Sequence, residues 1–325
     1  MHMADALLSP AVALTASAAA TVLIVTAGMK IKKSGNENMV PLMGVLGAFV
    51  FAAQMVNFTI PGTGSSGHIV GGVLLAALLG PWAAFLTLTS VLIIQCLIFA
   101  DGGLMALGCN ILNMAAMTCL VAYPLIYKPL RGSAGGSWRM MGVSLLACTV
   151  GLELGAVMVS VETALSGVTA LPFGEFLALM TAIHLAIGVG EGLATGAVII
   201  FVKKAEPGLL YERDRRAHHR QAMRKSVIWF AVAALAIGGG LAFLASSNPD
   251  GLEWSIQRIL GTTEPAGAVS AVADAAGAAG AVQASTSFLP DYENSFSGII
   301  GALMVVALVW SFAYLLTARR KRVKA

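Results

Sequence analysis

The 325-residue chain is 58% hydrophobic and only 11% charged, with a mean hydropathy of +0.83, whereas soluble domains are about one-quarter charged. That balance excludes a soluble enzyme and predicts a multi-pass membrane protein, since about 20 apolar residues cross the hydrocarbon layer. The net charge of +4 comes from basic loops that read as topology determinants rather than as a nucleic-acid surface.

In chain order, Met1-His2-Met-Ala-Asp5 precedes a first apolar run at 9–29. This run lacks the basic leader of a cleavable signal peptide and is longer than its usual apolar core, so Met1 is expected to remain at the mature terminus. A free α-amine, the backbone nitrogen of residue 2 and the imidazole of His2 can close two fused chelate rings around one ion. Further runs follow at 40–58 and 68–81, and between them lies the loop Pro61-Gly-Thr-Gly-Ser-Ser-Gly67, ending at His68. Its glycines let the backbone reach inward, and the His68 imidazole can supply a fourth nitrogen. Four nitrogens in a plane suit Ni²⁺, Cu²⁺ or low-spin Co²⁺ better than Mg²⁺, Ca²⁺ or tetrahedral Zn²⁺.

The remaining predicted spans are 83–100, 104–127, 140–163, 177–202, 226–246 and 298–317. With the N-terminus outside, the inner segments hold every basic residue except Arg258, which is the expected asymmetry. The predicted fold class is therefore all-α, a polytopic transmembrane bundle of about nine spans with a cytoplasmic C-terminus, in a bacterial plasma (inner) membrane and in contact with its lipid. Three parts are expected: a seven-span unit at 1–204, a basic cytoplasmic connector at 205–225 and a two-span domain at 226–325, whose outer loop is 247–297. His218 and His219 read as members of a solvated basic helix in the connector. The Ala/Gly-rich stretch 264–280 is expected to be a linker or a marginal helix.

Cys96, Cys109, Cys119 and Cys148 all lie in predicted spans without a CxxC spacing, and read as small packing residues. Other polar residues are candidates to orient the imidazoles, or to bond neighbouring helices. Gln54 and Asn57, and likewise Asn110 and Asn113, are spaced to share a helix face. Gln95 and Asp101 lie near the outer end of the fourth span, and Asp5 or Asp101 could accept the second ring nitrogen of a ligating histidine. His184 and Glu191, two turns apart in the seventh span, are candidates for a structural or a coupling role. No His-Glu-x-x-His run supports an intramembrane metalloenzyme, and no Gly-x-x-x-x-Gly-Lys-Ser/Thr run occurs, so any ATPase motor is expected on another chain.

Several motifs coincide in order. Met1-His2-Met-Ala-Asp-Ala-Leu-Leu-Ser-Pro10, Asn57-Phe-Thr-Ile-Pro-Gly-Thr-Gly-Ser-Ser-Gly-His68, Gly80-Pro-Trp-Ala-Ala84, Phe99-Ala-Asp-Gly-Gly103 and His184-Leu-Ala-Ile-Gly-Val-Gly-Glu191 resemble the NikM/CbiM family. These are the nickel/cobalt substrate-binding (S) components of energy-coupling-factor ABC transporters. Pro249-Asp-Gly-Leu-Glu253 resembles the PDGLE-type auxiliary subunit NikN, fused here. Ala6, Leu7 and Cys109 stand where the family usually has Gly, an aromatic and Ala.

The resemblance implies that the ion is held by Met1 (terminal amine), His2 (amide and imidazole) and His68. It also implies that Ni²⁺ or Co²⁺ is the transported substrate, with no organic cofactor, and that an ECF transmembrane (T) subunit and ATPase subunits are the partners. The tail resembles nickel systems more than cobalt ones, so nickel is expected, with cobalt for cobalamin synthesis as the alternative. A metal-sensing receptor is the rival of another class. The tail beyond residue 225 is expected to be dispensable for holding the ion.

Overall fold

Long apolar runs become helices because in hydrocarbon every backbone N–H and C=O must find its partner within the segment. In the computed structural model, which describes residues 1–34, 39–132, 136–211, 220–263, 270–292 and 296–322, five helices are long and apolar enough to cross a membrane. They are α1 (Pro10–Ser34), α4 (Pro81–Phe99), α5 (Leu107–Arg131), α6 (Ser137–Ser166) and α7 (Phe173–Ala205). Shorter apolar helices are α2 (Met39–Gln54) and parts of α8 (Arg220–Gly239) and α11 (Ser297–Arg322). The protein is an integral, multi-pass membrane protein, and its regular structure is helical apart from one small hairpin among the described residues. The middle of α5, Ile111–Tyr127, is wound with π geometry.

The expected third span, 68–81, is not a membrane-crossing helix. Only α3 (Gly72–Leu79) is helical there, about 12 Å at 1.5 Å per residue, against a hydrocarbon layer of about 30 Å. The preceding stretch is an antiparallel hairpin, β1 (Phe58–Ile60) with β2 (Ser65–Gly67), whose second strand is buried in the bundle while Thr59 and the turn are exposed. Every residue of α3 is buried, and irregular backbone at membrane depth is tolerated only when enclosed by protein. Hairpin and half-helix together still carry the chain from one end of the bundle to the other. Gly80 lies against the Tyr211 ring, Tyr211 N–H donates to the Ala77 carbonyl, and Lys30 near the basic end of α1 lies 5.2 Å from the Trp82 ring. The α3–α4 corner thus sits at the basic end, and Phe99 emerges at the other end, beside the N-terminus.

The tail is packed onto the first unit. Helices α8 and α11 flank α2, with Phe230 edge-on to Phe49 at 5.1 Å. Gly301 meets Phe51 so closely that a Cβ there would overlap the ring, the small-residue contact that lets membrane helices approach. Between α8 and α11 lie two further helices, α9 (Gly251–Leu260) and α10 (Ser270–Thr286), so the expected outer loop 247–297 is largely helical among its described residues. Ala content prevails over Gly across α10. His218 and His219 of the connector lie outside the described residues.

The Pro249–Glu253 motif has a physical account letter by letter. The Pro249 carbonyl accepts the Ser66 N–H at 2.8 Å, tying the motif to β2. Asp250 is the N-cap of α9, its Oδ1 accepting the N–H groups of Leu252 and Glu253 at 2.8 and 2.9 Å. Glu253 returns the bond by accepting the Asp250 N–H at 2.9 Å, a capping box. At Gly251 a Cβ would come within about 3.0 Å of His184 and Ile187, so a larger residue would push against α7 and glycine lets α9 sit this close. Leu252 is buried beneath.

Candidate metal centre

The first nine residues fold back into the bundle instead of trailing into solvent. Met1, Met3, Leu7 and Leu8 are all buried. The Met3 N–H donates to Asn110 Oδ1 at 2.8 Å, and its carbonyl accepts the Gly103 N–H at 2.9 Å. Asn113 donates to Glu162 at 2.7 Å and also touches the Met3 sulfur. Asn110 and Asn113 therefore seat the arm and do not orient an imidazole. Asp5 likewise accepts the Ala106 N–H at 2.9 Å and fixes the loop after α4, so of the two carboxylates considered for the histidines only Asp101 lies against one, at His2 Nδ1.

This fold-back brings the His2 and His68 rings together, stacked at 5.5 Å between centroids and 19° apart in plane. His68 Nδ1 lies 3.1 Å from the Ile69 carbonyl. A carbonyl only accepts, so Nδ1 carries the proton and Nε2 keeps its lone pair. The tautomer of His2 follows from a chain of amides. Val70 O can only accept, so Gln54 presents its NH₂ there at 2.8 Å. Gln54 Oε1 in turn accepts from the Gln95 NH₂ at 2.9 Å. Gln95 Oε1 is left facing His2 Nε2 at 3.3 Å, so Nε2 carries a proton. His2 Nδ1 lies 3.1 Å from Asp101 Oδ1. Asp101 is itself fixed by the Tyr292 hydroxyl, donating to its other oxygen at 2.6 Å.

Burial pulls the pKa of His2 below the usual value, while the nearby carboxylate charges oppose the shift. The free amine of Met1 is ion-paired with Asp250 Oδ2. Burial raises the Asp250 carboxyl, but the adjacent ammonium and its hydrogen bonds outweigh this and hold it well below the ordinary range.

Asn57 is not on the helix face of Gln54. Helix α2 ends at Gln54, and Asn57 lies beyond it, its carbonyl accepting the Ser246 N–H at 2.8 Å. His184 and Glu191 are not bonded to each other as a pair. Glu191 accepts the N–H groups of Val70 and Gly71 at 2.8 and 2.9 Å, placing a carboxylate on the N-terminus of α3. Gly71, with φ of 77°, supplies the left-handed turn that aims both groups at it. His184 Nδ1 bonds the Met180 carbonyl at 2.7 Å, and its ring borders a space of about 10 Å³ shared with Met1, His68 and Asp250. A larger cavity of about 790 Å³ opens beside His2, His68, Asp101, Asp250, Gln283 and Tyr292.

Three of those six come from the tail, and they were not singled out as site residues from the sequence. The signal for Asp250 was present in its motif, though a motif does not say where a cap will dock. Among the described residues no three His, Cys, Asp or Glu side chains converge as a metal cage. The groups gathered here are the terminal amine, two imidazoles and the carboxylates of Asp101 and Asp250.

Fold and geometry define the class: a polytopic helical membrane protein whose N-terminal arm returns into its own bundle, with a second module docked on the arm. Residues 2–209 match CbiM, described as the cobalt uptake substrate-specific transmembrane region, and residues 224–318 match the PDGLE domain. The chain belongs to the CbiM family. It is 36% identical over 272 residues, 80% of this chain and 79% of the other, to a probable fused nickel transport protein, LarMN, of Lactiplantibacillus plantarum. It is 30% identical over 334 residues, 95% of each chain, to the fused nickel transport protein NikMN of Rhodobacter capsulatus. A crystal structure of a truncated transition metal transporter superposes with a TM-score of 0.55 at 32% identity, covering 63% of this chain and 99% of that one.

Proposed function

We propose that this chain is the capture component of an ATP-driven nickel uptake transporter, binding the ion from outside through nitrogen ligands. The observation that carries the proposal is the stacking of His2 on His68, close enough to the Met1 amine for its charge to act on both rings, in a chain of the CbiM family. The ligands are the Met1 amine, the His2 amide nitrogen and Nδ1, and His68 Nε2. In the ion-free chain the two rings lie face to face at 5.5 Å; an imidazole lone pair lies in its ring plane, so the rings turn as they close on one ion.

The amide chain supports this ligand set. Fused chelate rings require His2 Nδ1, and Gln95 holds the proton on Nε2, leaving Nδ1 for the metal once it parts from Asp101. Such outer hydrogen bonds fix the tautomer of a ligating histidine. Nickel is favoured over cobalt because the match to a PDGLE domain accompanies relatives named as nickel transport proteins. The same nitrogens would serve Co²⁺.

ATP hydrolysis is assigned to partner ATPase subunits, acting through an ECF transmembrane subunit. The chain itself performs no covalent chemistry. Uptake of radioactive nickel into cells expressing the full chain with and without those partners tests this reading. Uptake is expected only with them, whereas metal-dependent signalling without uptake would indicate a receptor.

Glu191 provides a second check. It touches no proposed ligand, but it pins Val70 and Gly71 just behind His68. Glu191→Ala is expected to weaken nickel binding about tenfold or more, as loss of an outer partner commonly does. Wild-type affinity in a folded variant, measured by nickel titration, would contradict the role of this pin.

A further inference from the structure

The amine of Met1 meets a carboxylate from a module that begins more than two hundred residues later in the chain. Asp250 Oδ2 pairs with the amine while Oδ1 caps α9, so one side chain joins the end of the arm to the start of a tail helix. The contact is enclosed, with Met1 only 5% exposed and the Asp250 side chain 18% exposed. The position of α9 is set independently of the pair. Ser66 bonds the carbonyls of Pro249 and Asn248, the Trp254 indole N–H donates to the Thr63 carbonyl at 3.0 Å, and Gly251 abuts His184. These bonds tie Asp250 to the same hairpin that delivers His68.

Given the capture reading above, we infer that Asp250 is the counter-ion of the site. The tail supplies it to balance the amine in the ion-free chain and the metal centre in the loaded one, from outside the coordination shell. The charge count supports a role in both states. With His2 neutral and the Asp101 carboxylate beside it in both states, the ammonium brings one positive charge to this space, and Ni²⁺ bonded to a deprotonated amide also carries a net charge of one. The opposite charge facing Asp250 therefore persists when the metal replaces the proton. A carboxylate left without it in a buried site is costly, and a metal centre left without the carboxylate is held less tightly. The expectation that the tail is dispensable for holding the ion gives way to a site completed by the tail.

The test uses the full chain in detergent micelles, with wild type, Asp250→Asn, Asp250→Ser and Glu253→Ala titrated with Ni²⁺. Binding is followed by the visible absorption of planar, low-spin nickel, and dissociation by transfer to an excess of chelator. Asn and Ser keep the cap of α9 but remove the charge. Glu253→Ala breaks the capping box and leaves the charge in place.

Both Asp250 variants are expected to bind about tenfold more weakly or worse, equivalent to about 1.4 kcal/mol, and to release the ion faster. The planar band should remain at its wild-type position, and Glu253→Ala should bind within about twofold of wild type. Unchanged or tighter binding in the Asp250 variants would overturn the inference. So would a wild-type spectrum that is not planar but becomes so on removing Asp250, since Asp250 would then be a ligand. An equal loss in Glu253→Ala would reduce its role to capping. If His68→Ala binds nickel as wild type does, the capture reading itself has failed, and the inference fails with it.

Discussion

Replacing His68 by alanine is expected to abolish high-affinity nickel binding while leaving the protein folded in the membrane. The imidazole hangs from the turn between β2 and α3, and its own hydrogen bond goes to the adjacent Ile69 carbonyl. The packing of α3 instead rests on Glu191 and on residues buried all around the half-helix. The substitution thus removes one nitrogen from the proposed plane and no span. Changing an outer partner of a metal site costs 10–100-fold, so losing a ligand should cost at least about a hundredfold. Nickel titration of the purified variant, with its elution profile as the folding control, makes the comparison. Affinity within about twofold of wild type would remove His68 from the site.

An insertion of one residue between Met1 and His2 should have an effect as large, although every side chain survives. The amine, the next backbone nitrogen and the adjacent imidazole must close fused rings on one ion, and the insertion displaces the amine from both that chelate and Asp250. An amine two residues before a histidine can still wrap Ni²⁺ with nitrogens of its own. Such a variant is expected to bind the ion without His68 and to fail in releasing it. A fusion left ahead of Met1 instead removes the free amine. Uptake should be lost in both variants and binding only in the fusion. Normal uptake by an uncleaved fusion, verified by intact mass, would overturn the role of Met1.

Much of this was legible in the residues. Long apolar runs marked the five helices long and apolar enough to cross a membrane, and His2 and His68, paired on the strength of the family resemblance, are brought within stacking distance. The third span was misread because a run of apolar residues has the same appearance whether it crosses lipid or is enclosed by protein. The fully buried Gly72–Leu79 is the second kind. Asn57 was misplaced because helical spacing was carried past the end of α2 at Gln54.

Gln95 and Asp101 were recognised as partners for an imidazole, whereas the direction of the Gln54–Gln95 amide chain depends on the Val70 carbonyl, which no spacing reveals. Asp250 was visible only as part of a motif. Its capping box is local and readable, but its pairing with residue 1 spans the whole chain and arises from tertiary packing of α9 on α7 and β2.

The central claim is a planar, all-nitrogen centre built on the chain terminus. Nickel K-edge absorption of the loaded, full-length protein tests it most directly. The account predicts a shell of four nitrogens with the pre-edge signature of a square plane and imidazole scattering from two rings, the latter lost in His68→Ala in favour of one ring. A six-coordinate shell containing carboxylate oxygens, unchanged when the terminal amine is blocked, would contradict it.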